Sequence, residues 1–208
     1  MDISAIAALT PVVPVLTIER QAVAIPLAQA LVRGGLRVLE ITLRTGVALE
    51  ALRAIVGEVP DAVVGAGTVL NGRQLEQARQ AGARFAVSPG CTPGLAAAAA
   101  ASGLPLLPGV QTVSEAMSLA ERGFTVLKFF PAEPEGGLAW LKAVAAPLAG
   151  LRFCPTGGIG LDTAPAYLSL ANVACVGGSW MAPGDAIAAQ DWARIERLAA
   201  AAANLKRP

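Results

Sequence analysis

The stretch VLEITLRTGVALEALRAIVGEVPDAVVGAGTVLN, residues 38–71, holds the repeat on which the fold turns. It opens with a short apolar and β-branched run at 38–42, continues through a segment of helical length rich in Ala, Leu, Glu and Arg at 48–57, and returns to an apolar run at 62–65. β-branched residues suit a pleated strand, whereas Ala, Leu, Glu and Arg lose little freedom in a helix. A strand, a helix and a strand in succession form a parallel crossover rather than a hairpin.

The same unit recurs outward in both directions. Apolar runs stand at 12–16, 38–42, 62–65, 85–88, 104–107, 125–128, 152–155 and 173–176, eight in all, spaced by about 20 to 28 residues. Between them lie helical segments at 20–33, 48–57, 72–81, 112–122 and 138–149, and the alanine-rich runs 96–101 and 199–203 also read as helix. Eight such units predict an α/β fold, a (β/α)8 barrel with a parallel eight-stranded core, built from one domain over residues 1–208. An open doubly wound sheet is the alternative. Pro14 makes the first strand the least regular, because proline has no donor for a ladder.

Composition narrows function. The chain is 54% hydrophobic and 15% charged, so an unusual share of it is buried. Pro and Gly interrupt the longest uncharged stretch, 85–114, which excludes a spanning helix there. The start MDISAIAAL carries Asp2 and no basic segment, which does not read as a signal peptide and predicts a cytoplasmic protein. A net charge of +1, with 16 basic and 15 acidic residues interspersed, offers no stripe for nucleic acid. Cys91, Cys154 and Cys175 have neither disulfide nor zinc spacing. There is no histidine at all, which removes Ser-His-Asp and Cys-His catalysis and the common imidazole metal sets.

In a barrel, chemistry belongs at the carboxyl ends of the strands. Lys128 ends a run flanked by Phe124, Val126, Leu127, Phe129 and Phe130. Burying an ammonium there costs hydration and favours the neutral, nucleophilic amine; a structural lysine paired with a buried carboxylate is the other reading. In VLEITLRT, Leu39, Ile41 and Leu43 alternate with Glu40, Thr42 and Arg44. The polar set faces the barrel mouth, with Glu40 as a proton shuttle and Arg44 as a carboxylate clamp, unless the two simply pair with each other. Glycine-rich strand ends at VGAGTVLN, RFCPTGGIG and CVGGSW let backbone N–H groups approach an anion, or serve only as turns. Lysine, carboxylate, arginine and a phosphate cradle suit imine chemistry on a 2-oxo acid without a metal.

These blocks, from PVVPVL at 11–16 through LEITLRT, VGAGTVLN, FAVSPG, PLLPGV, LKFFPAE, FCPTGGI and GGSW, resemble the 2-keto-3-deoxy-6-phosphogluconate aldolases, also described as 4-hydroxy-2-oxoglutarate aldolases. The resemblance covers nearly the whole chain. It implies a class I lyase that splits the phosphorylated keto-deoxy sugar acid into pyruvate and glyceraldehyde 3-phosphate, with no cofactor, as in the Entner–Doudoroff route. Carried over by motif, Lys128 is the Schiff-base residue, Glu40 the proton acceptor and donor, and Arg44 with Thr68 the binders of the pyruvyl carboxylate. Thr156 steers stereochemistry, Gly157, Gly158, Gly178 and Ser179 hold the phosphate, and Phe130 packs on the substrate. A homotrimer is implied as well. The competing readings are a 2-keto-3-deoxy-6-phosphogalactonate aldolase, a phosphate-binding barrel enzyme that forms no imine, and a non-catalytic sugar-phosphate binding module.

Overall fold

The alternation in the apolar runs produces strands whose two faces meet different surroundings. The structure, a computed structural model, describes residues 1–206. Its first half comprises α1 (Ile3–Ala8), β1 (Val12–Leu16), α2 (Ala24–Arg33), β2 (Val38–Thr42), α3 (Ala48–Glu58), β3 (Val63–Gly67), α4 (Gly72–Gln80) and β4 (Phe85–Val87). Then follow α5 (Pro93–Ser102), β5 (Leu106–Leu107), β6 (Gly109–Val110), α6 (Val113–Ala120) and β7 (Val126–Phe129). The last elements are α7 (Gly137–Val144), β8 (Arg152–Pro155), α8 (Ala164–Leu168), β9 (Val176–Gly178), α9 (Gly184–Ala189) and α10 (Trp192–Ala203).

All strand pairs are parallel, in two sheets ordered β5-β4-β3-β2-β1-β9 and β6-β7-β8. The sheets join at both ends. Pro108 alone separates β5 from β6, and parallel bridges Phe153↔Val173 and Thr156↔Gly177 connect β8 to β9. The result is a (β/α)8 barrel whose fifth strand is broken in two, so the expected clean eight becomes nine segments. The break has a local cause: Pro108 has no N–H, although its carbonyl still accepts from the Lys128 N–H at 2.8 Å. Pro14, by contrast, lies inside β1 opposite Gly178, the flanking residues carrying the pairing.

Boundaries moved where glycine or proline intervenes. β3 runs two residues beyond the expected 62–65, through Gly67, while the expected 173–176 run contributes only its last residue to β9. The helix expected at 20–33 starts at Ala24, after a 3-10 turn at Gln21–Val23. α5 extends the alanine run in both directions: Thr92 caps it by accepting from Leu95 N, Pro93 sits in its first turn, and Gly103, at φ 69, ends it. In α6, Thr112 and Glu115 form a reciprocal capping box.

Leu39 and Ile41 point outward into the large cluster shared with the helices, beside Leu27, Leu31 and Leu52. The barrel interior has its own apolar layer, Val13, Val38, Phe85, Val87, Leu107, Val126, Cys154 and Cys175. Ile6 and Ala7 belong to this layer, so α1, which the sequence pattern had not revealed, plugs the amino-terminal end of the barrel. Gly65 makes the layer possible, because a side chain there would collide with the Phe85 ring.

Candidate active site

Above the apolar layer the interior turns polar. Glu40, on β2, and Lys128, on β7, are 3% and 4% exposed. Around the barrel, β2 and β7 are separated by three strands on either side, counting β5 and β6 as one, so the two side chains meet across its axis. Lys128 Nζ lies 3.4 Å from Glu40 Oε1. Their placement follows from strand parity: Leu127 and Phe129 face the helices, where Trp140 of α7 stacks on Phe129 with ring centroids 4.3 Å apart, which turns Lys128 inward. Gly67 opens the space that Glu40 fills, because a Cβ at 67 would overlap the carboxylate oxygen.

Phe130 keeps the parity of Lys128, and its ring centroid lies 5.2 Å from Nζ. Thr156 is buried beside them, its hydroxyl 3.4 Å from the Cys154 carbonyl, in space that Gly177 leaves open. Arg44 does not pair with Glu40. Its Nε donates to Thr68 Oγ1 at 2.9 Å, at the adjoining ends of β2 and β3. Thr68 adopts φ 57, a left-handed conformation uncommon for a β-branched residue.

The glycine-rich ends form a separate rim. Gly157 and Gly158 have φ 103 and 82, which favours glycine at both positions. Among the described residues, the N–H groups of Gly157, Gly158 and Ser179 have no acceptor within the chain. Such free donors at the ends of the last two strands suit an anion. Gly178 is buried in this rim under the Trp180 ring. Ser179 also lines a cavity of about 350 Å³ together with Thr17, Glu19 and Arg20.

The ten residues singled out from the sequence therefore all lie at the carboxyl ends of strands or just beyond them: Glu40, Lys128, Phe130 and Thr156 inside the mouth, the Arg44–Thr68 pair at the ends of β2 and β3, and Gly157, Gly158, Gly178 and Ser179 on the rim at the ends of β8 and β9. Gly67 and Gly177 belong to the glycine-rich strand ends expected to approach an anion or make turns; in the structure they instead leave room for Glu40 and Thr156, a role signalled by small residues at interior parity in strands. Glu133 and Tyr167 carry no local signal in the sequence. Cys91 is a weak nucleophile, since burial pushes its thiol up. Among the described residues no group of three His, Cys, Asp or Glu could hold a metal ion, and no helix is long and apolar enough to cross a membrane.

A parallel barrel with a buried amine facing a carboxylate at its carboxyl mouth defines a class of barrel enzymes equipped for carbonyl chemistry. The family model for KDPG and KHG aldolase matches residues 3–198, and the chain belongs to that aldolase family. It is 53% identical over 189 residues to the KHG/KDPG aldolase of Escherichia coli, covering 91% of this chain and 89% of the relative. The KDPG aldolase of Legionella pneumophila, solved with pyruvate captured as a covalent carbinolamine intermediate, superposes with a TM-score of 0.95 at 46% identity over 97% of this chain and 98% of that one. The 2-keto-3-deoxy-6-phosphogluconate aldolase of Zymomonas mobilis, solved with 3-phosphoglycerate, gives a TM-score of 0.95 at 51% identity, covering 99% and 97%.

Proposed function

We propose that the chain, acting as one folded unit, performs its aldolase reaction through a Schiff base on Lys128 and without a metal. One observation carries the reading: the buried Lys128 amine has Glu40 as its ion-pair partner, 3.4 Å away, at the carboxyl ends of the strands. Passing one proton from the ammonium to Glu40 leaves a neutral amine and a neutral acid, and removes two charges from the interior. The carbinolamine trapped in the Legionella relative supports the same chemistry here. The donor set of this chain, which lacks histidine, supports a route that needs no metal.

The amine attacks the C2 carbonyl of 2-keto-3-deoxy-6-phosphogluconate, Glu40 gives its proton to the carbinolamine hydroxyl, and loss of water leaves a protonated imine beside the Glu40 carboxylate. Glu40, directly or through a water, takes the proton of the C4 hydroxyl. The C3–C4 electron pair flows into the imine, glyceraldehyde 3-phosphate leaves, and an enamine remains. Protonation at C3 and hydrolysis release pyruvate and regenerate the amine. Arg44 and Thr68 hold the substrate carboxylate. Thr156 governs which face of the aldehyde is engaged, and Phe130 packs against the chain of the substrate. The free N–H groups of Gly157, Gly158 and Ser179, with Gly178 beside them, cradle the phosphate.

The shorter 4-hydroxy-2-oxoglutarate is a second substrate in this reading. The phosphogluconate epimer is favoured over the galactonate one because the relatives that match over most of the chain are named for it. A cytoplasmic homotrimer completes the proposal; Cys91, Cys154 and Cys175 form no disulfide, which fits a reducing compartment.

Borohydride reduction with pyruvate, followed by peptide mass spectrometry, tests it. The expected product is one pyruvyl adduct, on Lys128. An unlabelled lysine, or substantial turnover by Lys128→Arg, would favour instead a barrel enzyme that uses the lysine only as a charge.

A further inference from the structure

The loop after β7 is bound to the loop after β8 at more points than chain connection requires. Ala132 N–H donates to the Thr156 carbonyl at 2.8 Å, and Glu133 N–H to the Gly157 carbonyl at 3.1 Å. The Glu133 side chain then crosses the second loop: a Cβ at Gly158 would come within 2.7 Å of the Cβ and Cγ of Glu133. Its carboxylate accepts a hydrogen bond from the Tyr167 hydroxyl. Tyr167 is fully buried on α8, the helix into which the Gly157–Gly158 turn leads. Gly137 lacks a side chain where Tyr167 and Glu133 meet, since a Cβ there would collide with the phenol oxygen.

The contacts close a ring. From Lys128 the chain runs five residues to Glu133, crosses by hydrogen bond to Tyr167, and returns along α8 to Gly158, which lies against Glu133, and Gly157, which lies against Pro131 and Phe130. Burial, and then Glu133 itself, push the Tyr167 phenol well above its ordinary range, so it stays a donor throughout the physiological pH range.

We propose that Glu133 and Tyr167 are positioning residues, a clamp that fixes the Gly157–Gly158 turn at a set reach from Lys128 and thereby determines how well the enzyme uses a phosphorylated substrate over an unphosphorylated one. The inference rests on the phosphate role proposed for that turn. Neither side chain touches reacting atoms. Without the clamp the two glycines, both at positive φ, regain freedom, and ordering them opposes phosphate binding.

Tyr167→Phe, Glu133→Ala, the double variant and Glu133→Gln test this on two substrates. In the first two, KM for 2-keto-3-deoxy-6-phosphogluconate rises about tenfold while kcat stays within about threefold, as expected for loss of one hydrogen bond to a charged group that orders a binding loop. On 4-hydroxy-2-oxoglutarate, which has no phosphate, kcat/KM stays within about threefold. The double variant is no worse than either single one, because the two residues act as a unit. Glu133→Gln, which can still accept from the phenol, recovers most of the affinity. Borohydride trapping of pyruvate on Lys128 persists in every variant, showing an intact barrel. Equal losses on both substrates, additive effects in the double variant, or an unaltered KM in Tyr167→Phe would each overturn the clamp. Failure of trapping in the unmodified enzyme would instead refute the Schiff-base reading, whatever the variants do.

Discussion

The amine of Lys128 and the carboxylate of Glu40, 88 positions apart in the chain, face each other at 3.4 Å across the barrel axis. Each is buried with the other as its ion-pair partner. A separation of 3.4 Å exceeds the 2.7–2.9 Å usual for a bond between charged groups. The looseness suits a pair that must part when a carbonyl carbon enters.

Removing one charge strands the other. Lys128→Ala is expected to abolish the borohydride adduct, to lower kcat by at least about 10³-fold, and to destabilise the fold by about 3–5 kcal/mol in urea unfolding. Adding Glu40→Gln to it restores much of the stability and none of the activity. If the double variant were no more stable than Lys128→Ala, the ion pair would not be the source of the loss.

Gly67 is the counterpart of Glu40, for its missing side chain leaves room for the carboxylate. In Gly67→Ala the carboxylate must swing away, and a displacement of about 1 Å in a catalytic group can cost on the order of 10²-fold. The expected result is a fall of that size in kcat with pyruvate trapping largely preserved, since the lysine stays in place. Wild-type turnover by Gly67→Ala would show that Glu40 moves freely or is not the proton carrier.

Thr68 holds a left-handed backbone at φ 57 while its hydroxyl accepts from Arg44. A β-branched residue in that region costs about 1–2 kcal/mol, so Thr68→Gly should leave stability the same or raise it by up to about 1 kcal/mol, part of the gain being offset by glycine's freedom in the unfolded chain. The same change removes the hydroxyl that orients Arg44 and is expected to raise KM for pyruvate in the condensation direction about tenfold. Unfolding in urea and condensation kinetics give the two readings independently, and a variant less stable by more than 1 kcal/mol would refute the strain argument.

Parity made much of this legible in the sequence. Because side chains alternate strictly along a strand, Glu40 and Thr42 had to face the interior once Leu39 and Ile41 were assigned to the helices, and Lys128 followed from Leu127 and Phe129 in the same way. Which strand stands opposite which depends on barrel closure, so the Glu40–Lys128 contact could not be read from either segment alone. Arg44 lies past the end of β2, where alternation no longer binds it, and it turned to Thr68 instead of Glu40. The split at Pro108 was hidden because a proline at a strand kink and one in a loop look alike in sequence. Tyr167 reads as an ordinary apolar helix residue, and only packing shows its hydroxyl reaching Glu133.

The least legible element was α1, six residues with one N-terminal cap, Asp2, accepting from Ala5 N at 2.8 Å. A helix so short is not stable alone, so its reason for existing is the surface it covers. Ile6, 3% exposed, packs with the interior layer that includes Val13, Val38 and Val126. Ile6→Ala should therefore create a cavity at the barrel floor and cost about 2–4 kcal/mol, or roughly 10 °C in melting temperature for a chain of this size. The polar layer with Glu40 and Lys128 sits above the apolar one, so kcat at 25 °C should stay within about twofold. A melting temperature lowered by less than 2 °C would mean that α1 lies against the barrel without sealing it; a large loss of kcat with an unchanged melting temperature would mean that the floor governs the site directly.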